Sequence, residues 1–324
     1  MSLAAQEGRE LSINPAVAAL QALQVDLPVG IAFSGGADST ALLHAAAATW
    51  PGQVRALHVH HGLQAAADAF ARHCRAVCED LGLPLEQLRV DARHRGGESP
   101  EDAARRARYA ALAAAARRLG LQHVLLAQHA DDQVETLLLA LSRGAGLPGL
   151  SGMPVRFERE GVAFERPLLA LPGPALRQWL TGQGLPWMED PTNTDTRRTR
   201  NRIRHLLLPA LAEAFPQFRQ TFARSARHAA QAQPLLAALA QQDLNVMGGE
   251  PSIGPLRALE RDRQANVLRH WLRSLGAMAP SAAQLEELLD QVADCTTRGH
   301  RIRIKVSDGL VERVKEQLRF SRPI

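Results

Sequence analysis

The sequence predicts an α/β protein: a doubly wound, mostly parallel sheet, followed by a smaller, mainly helical region that ends in a β-hairpin. Three observations carry this reading. Short apolar runs alternate with helix-periodic segments in the first half, a glycine-rich loop directly follows the first run, and the texture turns helical beyond Pro216. At 324 residues the chain is long enough for about two domains at ~150 residues each. The boundaries read as 1–213 and 214–324.

In chain order, Val29 to Phe33 is a buried-strand pattern, and Ser34-Gly35-Gly36-Ala37-Asp38-Ser39 leads from it into a helical stretch over Thr40 to Ala48. Further apolar runs at Val54 to Val59, Leu85 to Val90 and His123 to Ala127 are each separated by helical periodicity. This βαβα order favours parallel strands covered on both faces. Ser99-Pro100-Glu101-Asp102 supplies a capping hydroxyl, a first-turn proline and acids at the positive helix end, and the helix extends to about Leu119. Glycine and proline interrupt the pattern between Gly144 and Gly152, and Arg166-Pro167-Leu168-Leu169 opens the last stretch of the first domain. Phe218 to Leu239, Ile253 to Leu275 and Ser281 to Val292 read as helices. Arg301 to Val306 alternates at strand period before Ser307-Asp308-Gly309, a hairpin cue.

Composition narrows the function classes. Apolar residues make up 46% and charged residues 22%, which is globular rather than disordered. No run approaches the ~18 apolar residues of a membrane span, and the start lacks a signal peptide's order, so a cytoplasmic protein is expected. Three cysteines fit a reducing compartment, and Cys74 and Cys78 are spaced as helix neighbours rather than as zinc or redox ligands. The net charge of +5 is modest, but eight arginines between Pro191 and Arg227 face only Asp195 and Glu213. Such a focus attracts polyphosphate or an RNA backbone, although a solvated helix face carries the same pattern. With one tyrosine and four tryptophans, base stacking is not the main RNA-binding device, and Trp187 reads as core.

Two motifs carry chemistry. In Ser34-Gly35-Gly36-Ala37-Asp38-Ser39, two glycines let the backbone approach an anion, hydroxyls flank them, and a helix N-terminus follows. The Gly-Lys-Ser/Thr of a Walker loop is missing. In Gln128-His129-Ala130-Asp131-Asp132-Gln133-Val134-Glu135, the three carboxylates fall on one helix side just past a strand end. Like charges so close call for a cation, either magnesium or a substrate ammonium, unless the aspartates only cap the helix. His58, His60 and His61 lack ligand-spaced partners and read as a loop near the nucleotide.

The loop resembles that of the PP-loop, or N-type, ATP pyrophosphatases, whose fold is Rossmann-like. The whole set resembles the tRNA(Ile)-lysidine synthetase family in particular. The matching blocks are His58 to Leu63, Glu101 to Tyr109, the acidic run continuing to Met153, Arg166 to Leu169, and Trp187 through Asp190-Pro191-Thr192-Asn193 to Arg204. The C-terminal helices and hairpin are similar to the family's first tRNA-binding domain. The resemblance implies a ligase that adenylates the C2 carbonyl of the wobble cytidine in CAU-anticodon tRNA(Ile) with ATP, then joins lysine to it with release of AMP and pyrophosphate. It implies that Ser34, Gly35, Gly36, Ala37, Asp38 and Ser39 hold ATP, Asp38 through Mg2+, and that Asp132 and Glu135 grip the lysine ammonium. Asp38, Asp132, Glu135 and His129 form the implied catalytic set, with His129 or a carboxylate taking the amine's proton. Arg200, Asn201, Arg202 and Arg204 are implied ATP or anticodon-loop contacts. For Arg105 and Arg108, a phosphate contact and a solvated helix face paired with Glu101 both fit the spacing.

The chain departs from the family where Leu171-Pro172-Gly173-Pro174 replaces a commonly basic position, and where Thr192 stands for serine. Ending at Ile324, it is expected to lack the extra C-terminal domain of longer members. Two rival readings are a PP-loop sulfur-transfer enzyme, which needs a reactive cysteine set, and a non-catalytic ATP-dependent RNA-binding protein, which would show no tRNA-dependent pyrophosphate release.

Overall fold

Alternation along the strands explains why the sheet needs cover on both sides. In β1 (Val29–Ala32), Val29 and Ile31 enter one apolar cluster while Ala32 packs on another. The same division places Ala56 of β2 (Val54–His60) on one face and Leu57 on the other. The computed structural model describes residues 13–60, 65–90, 100–297 and 299–322, with backbone alone for 65, 66 and 100–102. His61 to Leu63 and the Ser99 cap lie outside the described residues.

The first face carries α1 (Val17–Gln21), α2 (Ala37–Thr49) and α3 (Ala65–Asp80), the last through buried Cys74, Val77 and Cys78. The opposite face, after β3 (Leu85–Arg89), carries α4 (Pro100–Arg118), whose Tyr109, Leu112 and Ala116 cover β4 (His123–Leu125). Then follow α5 (Ala130–Ser142), α6 (Leu147–Leu150), β5 (Arg156–Arg159) and β6 (Val162–Glu165). α7 (Gly173–Gln183) returns to the first face through Leu176 and Leu180. The strand order is β3-β2-β1-β4-β6-β5, parallel except for the β5–β6 hairpin. That hairpin turns on Glu160 and Gly161, both at positive φ. From β1 the chain builds outward to β3 and returns to lay β4 on the other side, so the order reverses between β1 and β4.

Beyond a 3-10 turn (Pro191–Thr194), the chain runs through α8 (Thr199–Arg202), a π-helical turn (Ile203–Leu207), α9 (Leu208–Ala214) and α10 (Phe218–Val246). The chain divides into two compact units between Arg227 and His228. The second unit has its own core, in which α11 (Ile253–Arg257), α12 (Arg261–Ser274) and α13 (Ala282–Ala293) pack through Leu256, Leu268, Trp271 and Leu289. It also holds an antiparallel sheet of β7 (Arg303–Val306), β8 (Gly309–Val314) and β9 (Gln317–Ser321).

Two details differ from the sequence reading. The helix expected over Ile253 to Leu275 breaks at Ala258 to Glu260, where Glu260 turns extended as the N-cap of α12 and the freed Leu259 carbonyl accepts from Gln264 Nε2 at 2.7 Å. The expected hairpin is two-thirds of a three-stranded sheet. Its first turn centres on Ser307-Asp308, with Ser307 at φ 61°, and the second on Lys315-Glu316, with Lys315 at φ 58° and no glycine to mark it. Among the described residues, no helix is long and apolar enough to cross a membrane.

The cysteines yield a direct test. Burial, reinforced by Cys78, pushes the Cys74 thiol up to about 12, and burial with Glu79 pushes Cys78 up to about 11. Iodoacetamide at mildly alkaline pH is expected to leave both unmodified by mass spectrometry over a period in which the urea-unfolded chain reacts fully, because the thiolate is the nucleophile.

Candidate active site

The loops after β1 and β4 leave the sheet side by side at its C-terminal edge, where the strand order reverses and a crevice opens. In the first loop Gly35 holds φ 85°, and a Cβ there would meet Cys74 Sγ at 3.0 Å, so conformation and space both demand glycine. Ser39 Oγ donates to the Gly36 carbonyl at 3.0 Å and accepts from the Ser34 amide at 3.2 Å, while the two hydroxyls stand 3.0 Å apart. Gly36 caps α2 without a side-chain hydrogen bond, so amides of the first turn, which begins at buried Ala37, remain available to an anion. His58 supports the loop from below, with Nδ1 2.9 Å from the Phe33 carbonyl. His60 instead meets Asp68 at 3.1 Å.

The second loop delivers His129 as the N-cap of α5, where Asp132 Oδ2 accepts from the His129 amide at 3.0 Å. The imidazole is buried among carboxylates. Nε2 lies 3.5 Å from Asp38 Oδ2 and 3.6 Å from Asp132 Oδ2, and Nδ1 lies 3.6 Å from Asp131 Oδ2. Burial opposes the His129 charge, but Asp38, Asp132 and Asp131 outweigh it and raise its pKa. Burial likewise works against the Asp38 charge, and His129, Arg177 and Arg204 hold that carboxyl below its ordinary range. Among the described residues, Asp38 Oδ1 and His129 Nδ1 are buried with no hydrogen-bond partner.

The acids are matched from a distant part of the chain. Arg204, in the π-helical turn, donates from Nε to Glu135 Oε1 at 2.8 Å and from Nη2 to Glu135 Oε2 at 3.2 Å and Asp132 Oδ1 at 3.3 Å. Arg200 Nη1 stands 3.9 Å from Glu135. Burial raises the Glu135 carboxyl, and Arg204 offsets part of that rise. Asp131 is held separately by Arg219 of α10, at 2.6 and 2.8 Å, and by the Gly173 amide at 2.9 Å. Arg219, the Gly173 amide and His129 keep its carboxyl low against the effect of burial. A Cβ on Gly173 would fall 2.8 Å from the His129 ring, so the absence of a side chain there makes room for that imidazole.

The structure thus brings Ser34 to Ser39, His129, Asp132, Glu135, Arg200 and Arg204 together. Asn201 and Arg202 do not join them. Asn201 Nδ2 brackets the Thr192 and Asp195 carbonyls at 2.8 and 2.9 Å, and Arg202 Nη2 donates to Thr199 Oγ1 at 3.3 Å. Arg105 and Arg108 lie against the Tyr109 ring on α4. Asp131, one of the three carboxylates of the acidic run, thus faces Gly173 and Arg219 rather than the cation expected for the run as a whole. The sequence marks Arg219 only as one of eight clustered arginines and carries no signal for its partner, which lies 88 residues away.

A PP-loop domain model matches residues 11–211, and a TilS substrate binding domain model matches residues 252–319. The tRNA(Ile)-lysidine synthase of Polaromonas naphthalenivorans is 64% identical over 316 residues, covering 96% of each chain. The chain belongs to the tRNA(Ile)-lysidine synthase family. The relative from Burkholderia pseudomallei is 47% identical over 281 residues, which cover 85% of this chain and 58% of that longer one. Among solved structures, the U34-tRNA thiolase NcsA from Methanococcus maripaludis with its 4Fe-4S cluster is similar in fold, with a TM-score of 0.57, 14% identity, and coverage of 67% of this chain and 77% of that one. In this lysidine synthase family member the cysteines are free and buried.

Arg204→Met keeps the aliphatic stem and removes the charge beside Glu135, which is fully buried. A Glu135 pKa above its unfolded value makes proton uptake favour the fold, so stability falls as pH rises through the folded pKa, and losing Arg204 extends that fall upward. Urea unfolding is expected to show a loss of about 2–3 kcal/mol near pH 8 and a smaller loss near pH 5.

Proposed function

We infer that this chain is a tRNA(Ile)-lysidine synthase that adenylates the C2 oxygen of the wobble cytidine in CAU-anticodon tRNA(Ile) and then joins lysine to that carbon. The observation that carries the reading is the approach of His129 to within 3.5 Å of Asp38 and 3.6 Å of Asp132, because it joins the phosphate loop and the acidic run in one crevice.

Residues 34–39 hold ATP with its phosphates at the start of α2. The cytidine oxygen attacks the α-phosphorus, the bond to the β-phosphate oxygen breaks, and pyrophosphate leaves. The ε-amine of lysine then attacks C2, the C2–O bond breaks, and AMP leaves. Activation is needed because a pyrimidine carbonyl oxygen departs poorly while an adenylate departs readily, and the protein's share is positioning and charge neutralisation. An ammonium with an ordinary pKa of ~10.4 must lose a proton before it attacks. That proton passes to His129 or to one of the carboxylates beside it. Asp132 and Glu135 hold the ammonium, which takes the place that Arg204 fills here, one cation exchanged for another.

Mg2+ fits this site. The unpartnered Asp38 Oδ1 suits a metal that keeps its waters and shares one carboxylate with substrate phosphates, where it would neutralise polyphosphate charge. Residues 1–213 carry the adenylation chemistry and residues 214–324 dock tRNA.

Unmodified tRNA(Ile), ATP, Mg2+ and labelled lysine are expected to give lysidine on nucleoside analysis, with one AMP and one pyrophosphate per lysine; absence of labelled nucleoside overturns the reading. Asp132→Asn is expected to raise the lysine KM about 10- to 100-fold, the worth of a hydrogen bond to a charged group. Gly173→Ala, which displaces the His129 ring, is expected to lower kcat at least tenfold while the ATP KM changes little; steady-state kinetics read both.

A further inference from the structure

Four arginines gather on the β4–β6–β5 side of the sheet. Arg105 and Arg108 of α4 and Arg159 of β5 place Cζ at 5.8, 5.5 and 5.7 Å from the centroid of Tyr109, and Arg166, just past β6, stands 4.5 Å from that of Phe157. Tyr109 and Arg166 are each only 3% exposed. Arg166 donates from Nε to Gln128 Oε1 at 3.1 Å, from Nη1 to the Pro154 carbonyl at 2.7 Å, and from Nη2 to the Tyr109 hydroxyl at 3.5 Å. Each of these acceptors is neutral. Among the described residues, no carboxylate forms an ion pair with any of the four arginines, although Arg156 and Arg117 close by are paired with Glu165 and Glu160.

Like charges so placed repel, and a buried guanidinium without a counter-ion bears its desolvation cost uncompensated. The aromatic rings offset part of this through their electron-rich faces. Burial lowers the Arg166 pKa, the Tyr109 hydroxyl opposes that, and the charges of Arg105 and Arg108 lower it further. The missing component is an anion with several oxygens, which guanidinium forks match well. The cluster also borders the crevice, because Gln128, which binds Arg166, immediately precedes His129.

We propose that Arg105, Arg108, Arg159 and Arg166 form a phosphate-binding site for the backbone of the tRNA substrate, an assignment that rests on the function inferred above. Phosphate contacts of this kind orient a nucleic acid without reading its sequence, which here fixes the register of the strand from which the cytidine is presented. The polyphosphate of ATP has the same chemistry, and the test separates the two.

Arg105→Gln, Arg159→Gln and the double variant are made in the full chain, sparing buried Arg166. The double variant is expected to bind unmodified tRNA(Ile) about 10-fold more weakly, with the slope of log affinity against log salt shallower by about 1, as for roughly one lost phosphate contact. The ATP KM is expected to stay within about twofold, and inorganic phosphate to raise the Tm of the native chain more than that of the double variant. Unchanged tRNA affinity and salt slope overturn the proposal. A raised ATP KM at unchanged tRNA affinity overturns it too, assigning the cluster to ATP. Binding is measured without turnover, so a native chain that binds tRNA through these arginines yet forms no lysidine refutes the inferred reaction and leaves the phosphate site standing.

Discussion

Three carboxylates, Asp38, Asp131 and Asp132, are crowded around one imidazole at the point where the strand order reverses, and Glu135 adds a fourth charge beside Asp132. Left alone, they would repel one another and bear the cost of leaving water. The fold resolves this by importing charge from remote parts of the chain: Arg204 from the π-helical turn and Arg219 from the first turn of α10. Arg204 answers Glu135 and Asp132 together, and Arg219 answers Asp131. The electrostatic demand of the crevice therefore governs how the segment after Thr199 lies against the sheet, and the segment's arginines are spent on the site as much as on any partner.

Much of this was legible because periodicity is local. All four predicted parallel strands occur within a residue or two of their expected ends, since alternation and bounding turns mark them without tertiary help. The glycine loop was legible for the same reason, a positive φ at Gly35 being written in the residue itself. The Lys315-Glu316 turn was not, because lysine takes a left-handed conformation there under the pairing of β8 with β9, a constraint from outside the turn.

At the site, spacing indicated that the acids share a helix side but not what answers them. Arg204 was read from its motif as a contact for ATP or RNA, and it binds Glu135 and Asp132. Asn201, read the same way, holds the 3-10 turn in place through two carbonyls. Both outcomes depend on contacts across tens of residues, which no window of sequence contains. Gly173 is the instructive case: its lack of a side chain proves to be clearance for a ring in another loop.

The π-helical turn at Ile203–Leu207 has a consequence for how this segment can vary. A π turn holds one residue more than an α turn and absorbs it locally, so removing a single residue there would restore regular winding while leaving the helix beyond it on its present bearing. Arg200, upstream, would keep its bearing on Glu135, and buried Leu208 of α9 would keep its place beside Val134 and Phe218, whereas Arg204, inside the turn, would shift relative to Glu135. The extra residue thus serves the side chains within the turn, Arg204 above all, rather than the helices on either side of it.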